Sequence, residues 1–242
     1  MTRQMNTAGS PADMAIEVAG ETLVLLPERA LWWPGRHTLI VADVHFGKSS
    51  VFRTHGVPVP AGSTDDNLAR LNACIARYPA QRLLCLGDLT HARSGHTPQL
   101  VARLGDFREQ HPDMHIELVR GNHDRHAGVP EVLRVTVHED PHLDGPFSLR
   151  HEPPRNEEGI DSGYVLAGHV HPAIVLSTQH DRIRVPCFAV SERMTILPAF
   201  GAFTGMHALE MTAGTSYYAA LEERVLGPIR NQAIPEKSHD RS

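Results

Sequence analysis

In "HTLIVADVHFGK" (His37–Lys48), a short apolar run rich in branched side chains ends abruptly in Asp43 and His45. Such a run reads as a buried strand, and its polar residues begin where the strand stops. The pattern recurs in "RLLCLGD" (82–88) and "HIELVRG" (115–121). Between the first two runs, "STDDNLARLNACIARY" (63–78) opens on Ser/Thr/Asp capping residues and repeats apolar residues at 68, 71, 75 and 78, which is helical spacing. "PQLVARLGDFREQH" (98–111) predicts a second helix between the next two. This β-α-β-α-β opening predicts parallel strands joined by right-handed crossovers.

Beyond about residue 134 the pattern changes. "RVTVHE", "FSLRHE", "YVLAGHVH", "AIVLST", "RIRVPCFAV", "MTILPAF" and "SYYAALEE" are short strand candidates with little helix between them. "STQHDR" (177–182) suits a hairpin loop. The second half is therefore expected to be mostly antiparallel. With no internal repeat or linker-rich tract, the chain reads as one α/β domain of two packed sheets over residues 15–232. The polar segments 1–14 and 233–242 read as frayed tails.

Composition narrows the function classes. The 242 residues are 41% hydrophobic and 21% charged, ordinary values for a globular chain long enough to bury a core. No apolar run approaches the ~20 residues that span a bilayer, and the N-terminus has no continuous apolar leader, so a cytoplasmic location is expected. Cys74, Cys85 and Cys187 lie far apart in apolar settings, which predicts buried thiols, not disulfides or a zinc knuckle. A net charge of −5 and a pI near 6.4 argue against a broad basic surface for nucleic acid, though not against a few local contacts. The 17 histidines stand out, because imidazole is both a common metal ligand and a proton carrier near neutral pH.

Polar clusters sit at five strand ends: "ADVHFGK" (Asp43, His45), "LGDLTH" (Asp88, His91), "RGNHD" (Asn122, His123, Asp124), "LRHEP" (His151) and "AGHVHP" (His169, His171). Loops beyond the carboxyl ends of strands converge on one crevice in α/β sheets. Carboxylate, amide and imidazole together suit hard or borderline divalent cations. Alternation along extended backbone predicts that Asp43 with His45, and His169 with His171, point into the same cavity. A glycine precedes each of Asp88, Asn122 and His169, where close backbone approach is expected.

The order Asp-x-His, Gly-Asp, Gly-Asn-His-Asp, His, Gly-His-x-His resembles the calcineurin-like metallophosphoesterase superfamily over about residues 38–172. The resemblance implies a βαββα-type two-sheet sandwich flanked by helices, with two metal ions among its loops. Asp43, His45, Asp88 and His171 would hold one ion, and Asp88, Asn122, His151 and His169 the other, Asp88 bridging. His123 would be the catalytic histidine, positioned by Asp124. "ADVHFGKSSVFRTHGVPVPAGST", "LGDLTHARSG" and "LPAFGAFTG" are similar to the ligase-associated DNA-damage-response endonucleases (the PdeM family). That narrower likeness implies DNA as substrate and an ATP-dependent DNA ligase, an exonuclease and a helicase as partners. The chain departs from it at Met206 and Thr90, outside the expected ligands.

The implied chemistry is in-line attack of metal-activated water on a phosphodiester, with His123 as general acid. Mn2+ is the expected metal; Fe or Zn would also suit these donors. Lys48, Arg53, Arg120 and His91 are candidates for substrate contact, each equally readable as an ordinary surface or loop group. A small-molecule nucleotide or pyrophosphate-ester hydrolase of the same fold is the alternative, and the acidic pI favours it somewhat. Trp32 and Trp33 are expected in the core, a base-stacking platform being the other reading.

Overall fold

The computed structural model describes residues 12–59, 62–155, 160, 163–177 and 181–231. Residues 1–11 and 232–242, which make up most of the expected tails, and residues 178–180 of the expected hairpin loop lie outside that range. Seven strands form the first sheet in chain order: β1 (Met14–Val18), β2 (Glu21–Leu25), β3 (Leu31–Trp33), β4 (Thr38–Val41), β5 (Arg82–Leu86), β6 (His115–Val119) and β7 (Thr136–His138). β4, β5 and β6 run parallel, as the three apolar runs predict, and β7, from "RVTVHE" in the half expected to be mostly antiparallel, joins them in parallel on β6. The antiparallel β1–β2–β3 meander ahead of them was not foreseen. Its first turn, Ala19–Gly20, takes positive φ at both residues, the backbone that a tight hairpin requires.

Among the described residues four α-helices accompany this sheet: α1 (Lys48–Thr54), α2 (Ser63–Arg77), α3 (Pro98–Gln110) and α4 (Asn122–Ala127). α2 is not capped by its Ser or Asp side chains. Gly62 is the cap residue, and Asp65 and Asp66 fall in the first turn, where negative charge favours a helix N-terminus. At α3 the Thr97 side chain accepts a hydrogen bond from the Leu100 amide, and Pro98 fills the first turn.

The nine-stranded second sheet contains β8 (His142–Asp144), β9 (Phe147–Arg150), β10 (Tyr164–Ala167), β11 (Pro172–Ser177), β12 (Arg182–Val190), β13 (Met194–Ile196), β14 (His207–Ala208), β15 (Ser216–Ala220) and β16 (Val225–Arg230). β11 and β12 are antiparallel with Ser177 opposite Arg182. The sheet is mixed, however, and the expectation of a mostly antiparallel second half needs correcting: β10 runs parallel to both β9 and β13, and β11 to β14. Strand pairing between segments distant in sequence leaves no mark on local periodicity.

Alternation along the parallel strands explains the layers. Leu39, Val41, Leu83, Cys85, Ile116 and Leu118 face α2 and α3, meeting Leu71, Cys74, Leu104 and Phe107. Their neighbours Ile40, Leu84, Leu86 and Val119 face the second sheet, meeting Phe147, Leu149, Leu166 and Phe188. Both faces of β4–β6 are thus buried, which is why these strands read as continuous apolar runs. The long helices cover the first sheet only; among the described residues no helix packs on the outer face of the second. Trp32 stacks on Tyr78 and Trp33 meets Phe147 edge-on, both in the core, so neither is a platform for a base. All three cysteines are free and buried.

Candidate metal centre

β4, β5, β6, β9 and β10 end at Val41, Leu86, Val119, Arg150 and Ala167, and every polar cluster of the sequence follows within a few residues. The donor atoms of Asp43, His45 and His171 lie within 4.8 Å of one another, as do those of Asp88, His151 and His169. Asp88 touches both sets: its Oδ2 is 3.8 Å from His45 Nε2 and its Oδ1 is 3.6 Å from His151 Nε2.

The side chains converge through strained backbone, not strand alternation. Asp43, His45, Asp88, His169 and His171 all have φ between 51° and 66°, the left-handed region that costs a non-glycine residue on the order of 1 kcal/mol or more. The expected extended Asp-x-His and His-x-His geometry is therefore corrected: β4 and β10 have already ended at these residues. Strain of this kind clusters where function overrides local preference. The glycines fit the same crowding. A Cβ on Gly87 would stand 2.1 Å from His151 Nδ1, and one on Gly121 would stand 2.3 Å from Asp88 Oδ1.

Electrostatics calls for a cation. Asp43 is fully buried; its Oδ2 accepts the His169 amide, while Oδ1 has no hydrogen-bond partner and faces His171 Nε2 at 3.4 Å. His151 donates its Nδ1–H to the Leu86 carbonyl, which turns the Nε2 lone pair toward Asn122 Oδ1 at 2.8 Å and His169 Nδ1 at 3.0 Å. Acceptors massed at such spacings match neighbouring ligands of one octahedral ion, which stand ~3 Å apart when bonded at ~2.1 Å. Burial, followed by the charge of Lys48 and the neighbouring histidines, pushes His45 down to about 2, so its imidazole is neutral and free to bind a metal. Burial raises the Asp88 carboxyl against the pull of His151. Glu117, His138 and His142 form a separate donor group, but Arg82 Nη1 stands 3.7 Å from Glu117 and already compensates its charge.

A family model described as calcineurin-like phosphoesterase matches residues 36–187. The chain belongs to the calcineurin-like phosphoesterase family. As such it is a metal-dependent phosphoester hydrolase, and the donor clusters are the candidate sites for its divalent metals. The crystal structure of the nuclease MPE of Pseudomonas putida is similar, at 39% identity and a TM-score of 0.76, covering 88% of this chain and 100% of that one. A conserved uncharacterized protein of Streptococcus pneumoniae, described as a predicted phosphoesterase, aligns at 12% identity over 78% of this chain and 91% of its own, with a TM-score of 0.33 that carries no weight. Curated proteins gave no match.

Within this calcineurin-like site, His123 lies beside the donor sets. Its Nδ1–H donates to the His91 carbonyl at 2.8 Å, leaving Nε2 open, 3.9 Å from Asp88 Oδ2. Asp124 does not aim it, contrary to the sequence expectation. The Asp124 carboxylate accepts the amides of Asp88 (2.7 Å), Gly121 (3.0 Å) and Thr90 (3.1 Å), tying the β5 exit to the β6 exit. The His91 ring stacks on His123 with centroids 4.7 Å apart and faces His45, so it belongs to the cluster.

Lys48 is half-buried and feels both Asp43 and Asp88, while burial lowers its pKa. Arg53 is exposed on α1, 3.5 Å from Ser50 Oγ, and Arg120 is paired with Glu139 at 2.5 Å. His126 is exposed on α4. Sequence reasoning missed Asp140, which accepts the His151 amide, and Asn67, which ties α2 to the Val44 carbonyl. Both are lone polar residues whose partners are distant in sequence, so no motif marks them.

Proposed function

We propose that the chain is a binuclear-metal phosphodiesterase that cleaves DNA as an endonuclease, in DNA repair beside an ATP-dependent ligase. The observation that carries the reading is Asp88, a buried carboxylate reaching both donor sets at once. Asp43, His45, Asp88 and His171 would hold one ion, and Asp88, Asn122, His151 and His169 the other; a carboxylate shared between them would offset the repulsion of two close cations. Asn122 supplies a neutral oxygen, so the site gains a donor without further negative charge. Bound there, two divalent ions supply the Lewis acidity that activates water and offsets charge building on phosphate oxygens. Mn2+ is the proposed metal, with Fe and Zn as alternatives.

The remaining work falls to the chain. His123, fixed through Nδ1, presents Nε2 to protonate the leaving alkoxide. Lys48 adds positive charge beside the phosphate. DNA as substrate is supported by likeness to a nuclease, and the exonuclease and helicase partners by the sequence resemblance alone. Buried free thiols agree with a cytoplasmic location, which is part of the proposal.

The test incubates Mn2+-loaded enzyme with single-stranded, nicked and damaged DNA and with a panel of nucleotide esters, at stated salt. Internal cleavage of DNA is the expected result; turnover of nucleotide esters alone would favour the small-molecule reading suggested by the acidic charge balance. Asp88→Asn should lose both metal and activity. Two ions retained per chain in that variant would remove Asp88 from the bridging position.

A further inference from the structure

The metal centre has an aromatic neighbour that phosphate chemistry does not require. Phe52, on the fourth residue position after Lys48 in α1, lies 6.2 Å from the His91 ring, and His91 in turn stacks on His123. Phe203, in the loop after β13, meets Phe52 edge-to-face at 5.6 Å and 84°. A row of rings therefore runs outward from the proton donor: His123, His91, Phe52, Phe203. Both phenylalanines are half-buried, leaving part of each ring to solvent.

The loop that carries Phe203 is held in place by the site itself. The Phe200 amide donates to the Ala42 carbonyl at 2.8 Å, the Gly201 amide to the Asp43 carbonyl at 3.1 Å, and the Ala202 amide to Asn67 Oδ1 at 2.9 Å. At Gly201 a Cβ would meet the Val44 carbonyl at 2.7 Å, so the backbone lies flush against the strand exit that supplies Asp43 and His45. Phe203 thus sits two residues from a peptide bonded to a proposed metal ligand. Solvent-facing Val57 and Met206, at 42% and 41% exposure, extend the apolar character of the same two segments.

We propose that Phe52 and Phe203 form a stacking platform that takes a nucleobase of the substrate and positions the adjoining phosphodiester over the metal centre. The inference rests on the DNA-cleaving reading above and names what that site would recognise beyond phosphate. Phosphate gains nothing from a phenyl face, whereas every base offers a planar π surface to stack, without demanding a particular sequence. The continuity of the ring row with His123 fixes which base is meant: one beside the scissile bond.

The test compares two oligonucleotides of equal length, one carrying bases and one with tetrahydrofuran units throughout, on wild type, Phe203→Ala, Phe52→Leu and Phe203→Tyr. On the base-bearing strand, Phe203→Ala and Phe52→Leu should lose between about 5- and 150-fold in kcat/KM, mostly through KM, the range set by stacking one base on an aromatic ring. On the abasic strand they should match wild type, which also shows that they are folded, and Phe203→Tyr should match wild type on both. Equal losses on both strands, or no loss on either, would overturn the platform. Failure of the DNA reading looks different: wild type would cleave neither oligonucleotide while hydrolysing a nucleotide ester, and the platform as a DNA device would fall with it.

Discussion

Removing the imidazole of His123 and neutralising the carboxylate of Asp124 should damage the enzyme differently, because the two side chains contact different things. His123 is half-exposed and held through one bond to the His91 carbonyl. His123→Ala should leave stability within ~1 kcal/mol of wild type. It should slow cleavage of a natural diester by roughly 10²–10⁴-fold, and hydrolysis of an aryl ester with an acidic leaving group much less. Equal losses on both esters would end the general-acid role. Asp124 is buried and accepts three backbone amides, so in Asp124→Asn the new NH2 must face donors whichever way the amide turns. That variant should lose about 2–4 kcal/mol in urea unfolding of the metal-free protein, with both esters affected alike. The donor residues were legible in the sequence because Asp43, Asp88, Asn122, His151 and His169 follow directly on apolar runs. The aiming of His123 was not, since a backbone carbonyl has no residue identity. Nor were the left-handed φ values, which only a glycine would have advertised.

At the scale of elements, the site depends on segments that approach it from behind. Asn67, on the buried face of α2, donates to the Val44 carbonyl, accepts the Ala202 amide and accepts from Arg70 Nη2 at 3.1 Å. One side chain thus joins a crossover helix, the β4 exit and the loop bearing Phe203. Asn67→Ala strands the buried Val44 carbonyl and releases the part-buried Ala202 amide, and should cost about 1–3 kcal/mol. It should also raise KM for DNA more than it lowers kcat, because the loop is released while the donor sets keep their own strands. Steady-state kinetics beside thermal unfolding would check this; a kcat loss with KM unchanged would place Asn67 in the chemistry instead. The helices α2 and α3 and strands β4–β6 were readable because each combines a clear period with a clear boundary. The β1–β2 hairpin was missed although "IEVAGETLVLL" holds two apolar runs around Ala19–Gly20, a turn signal overlooked beside the stronger parallel pattern. α1 follows a glycine and has too little apolar periodicity to announce itself.

For the molecule as a whole, the two sheets bring five strand ends to one edge of the sandwich, while the net charge stays at −5. The parallel pairing of β9 with β10 is what sets His151 beside His169, and sheet order of that kind had to come from structure. The charge balance, in contrast, was fully available from composition, and it constrains how DNA, the proposed substrate, would be held. If Lys48 and Arg53, which flank the first donor set, and Arg120 at the β6 exit each neutralise one phosphate, the site makes three such contacts. Each phosphate neutralised on a single strand contributes ~0.7 to the slope of log affinity against log salt. Three contacts give a slope of about −2, hence a fall of roughly 20-fold between 50 and 200 mM salt. Measured as 1/KM on a single-stranded oligonucleotide at saturating metal, the expected dependence is therefore shallow. A fall of about 10³-fold or more would require many more cationic contacts than this acidic chain presents near its metal centre, and would point to a grip supplied by a basic surface far from the five strand ends.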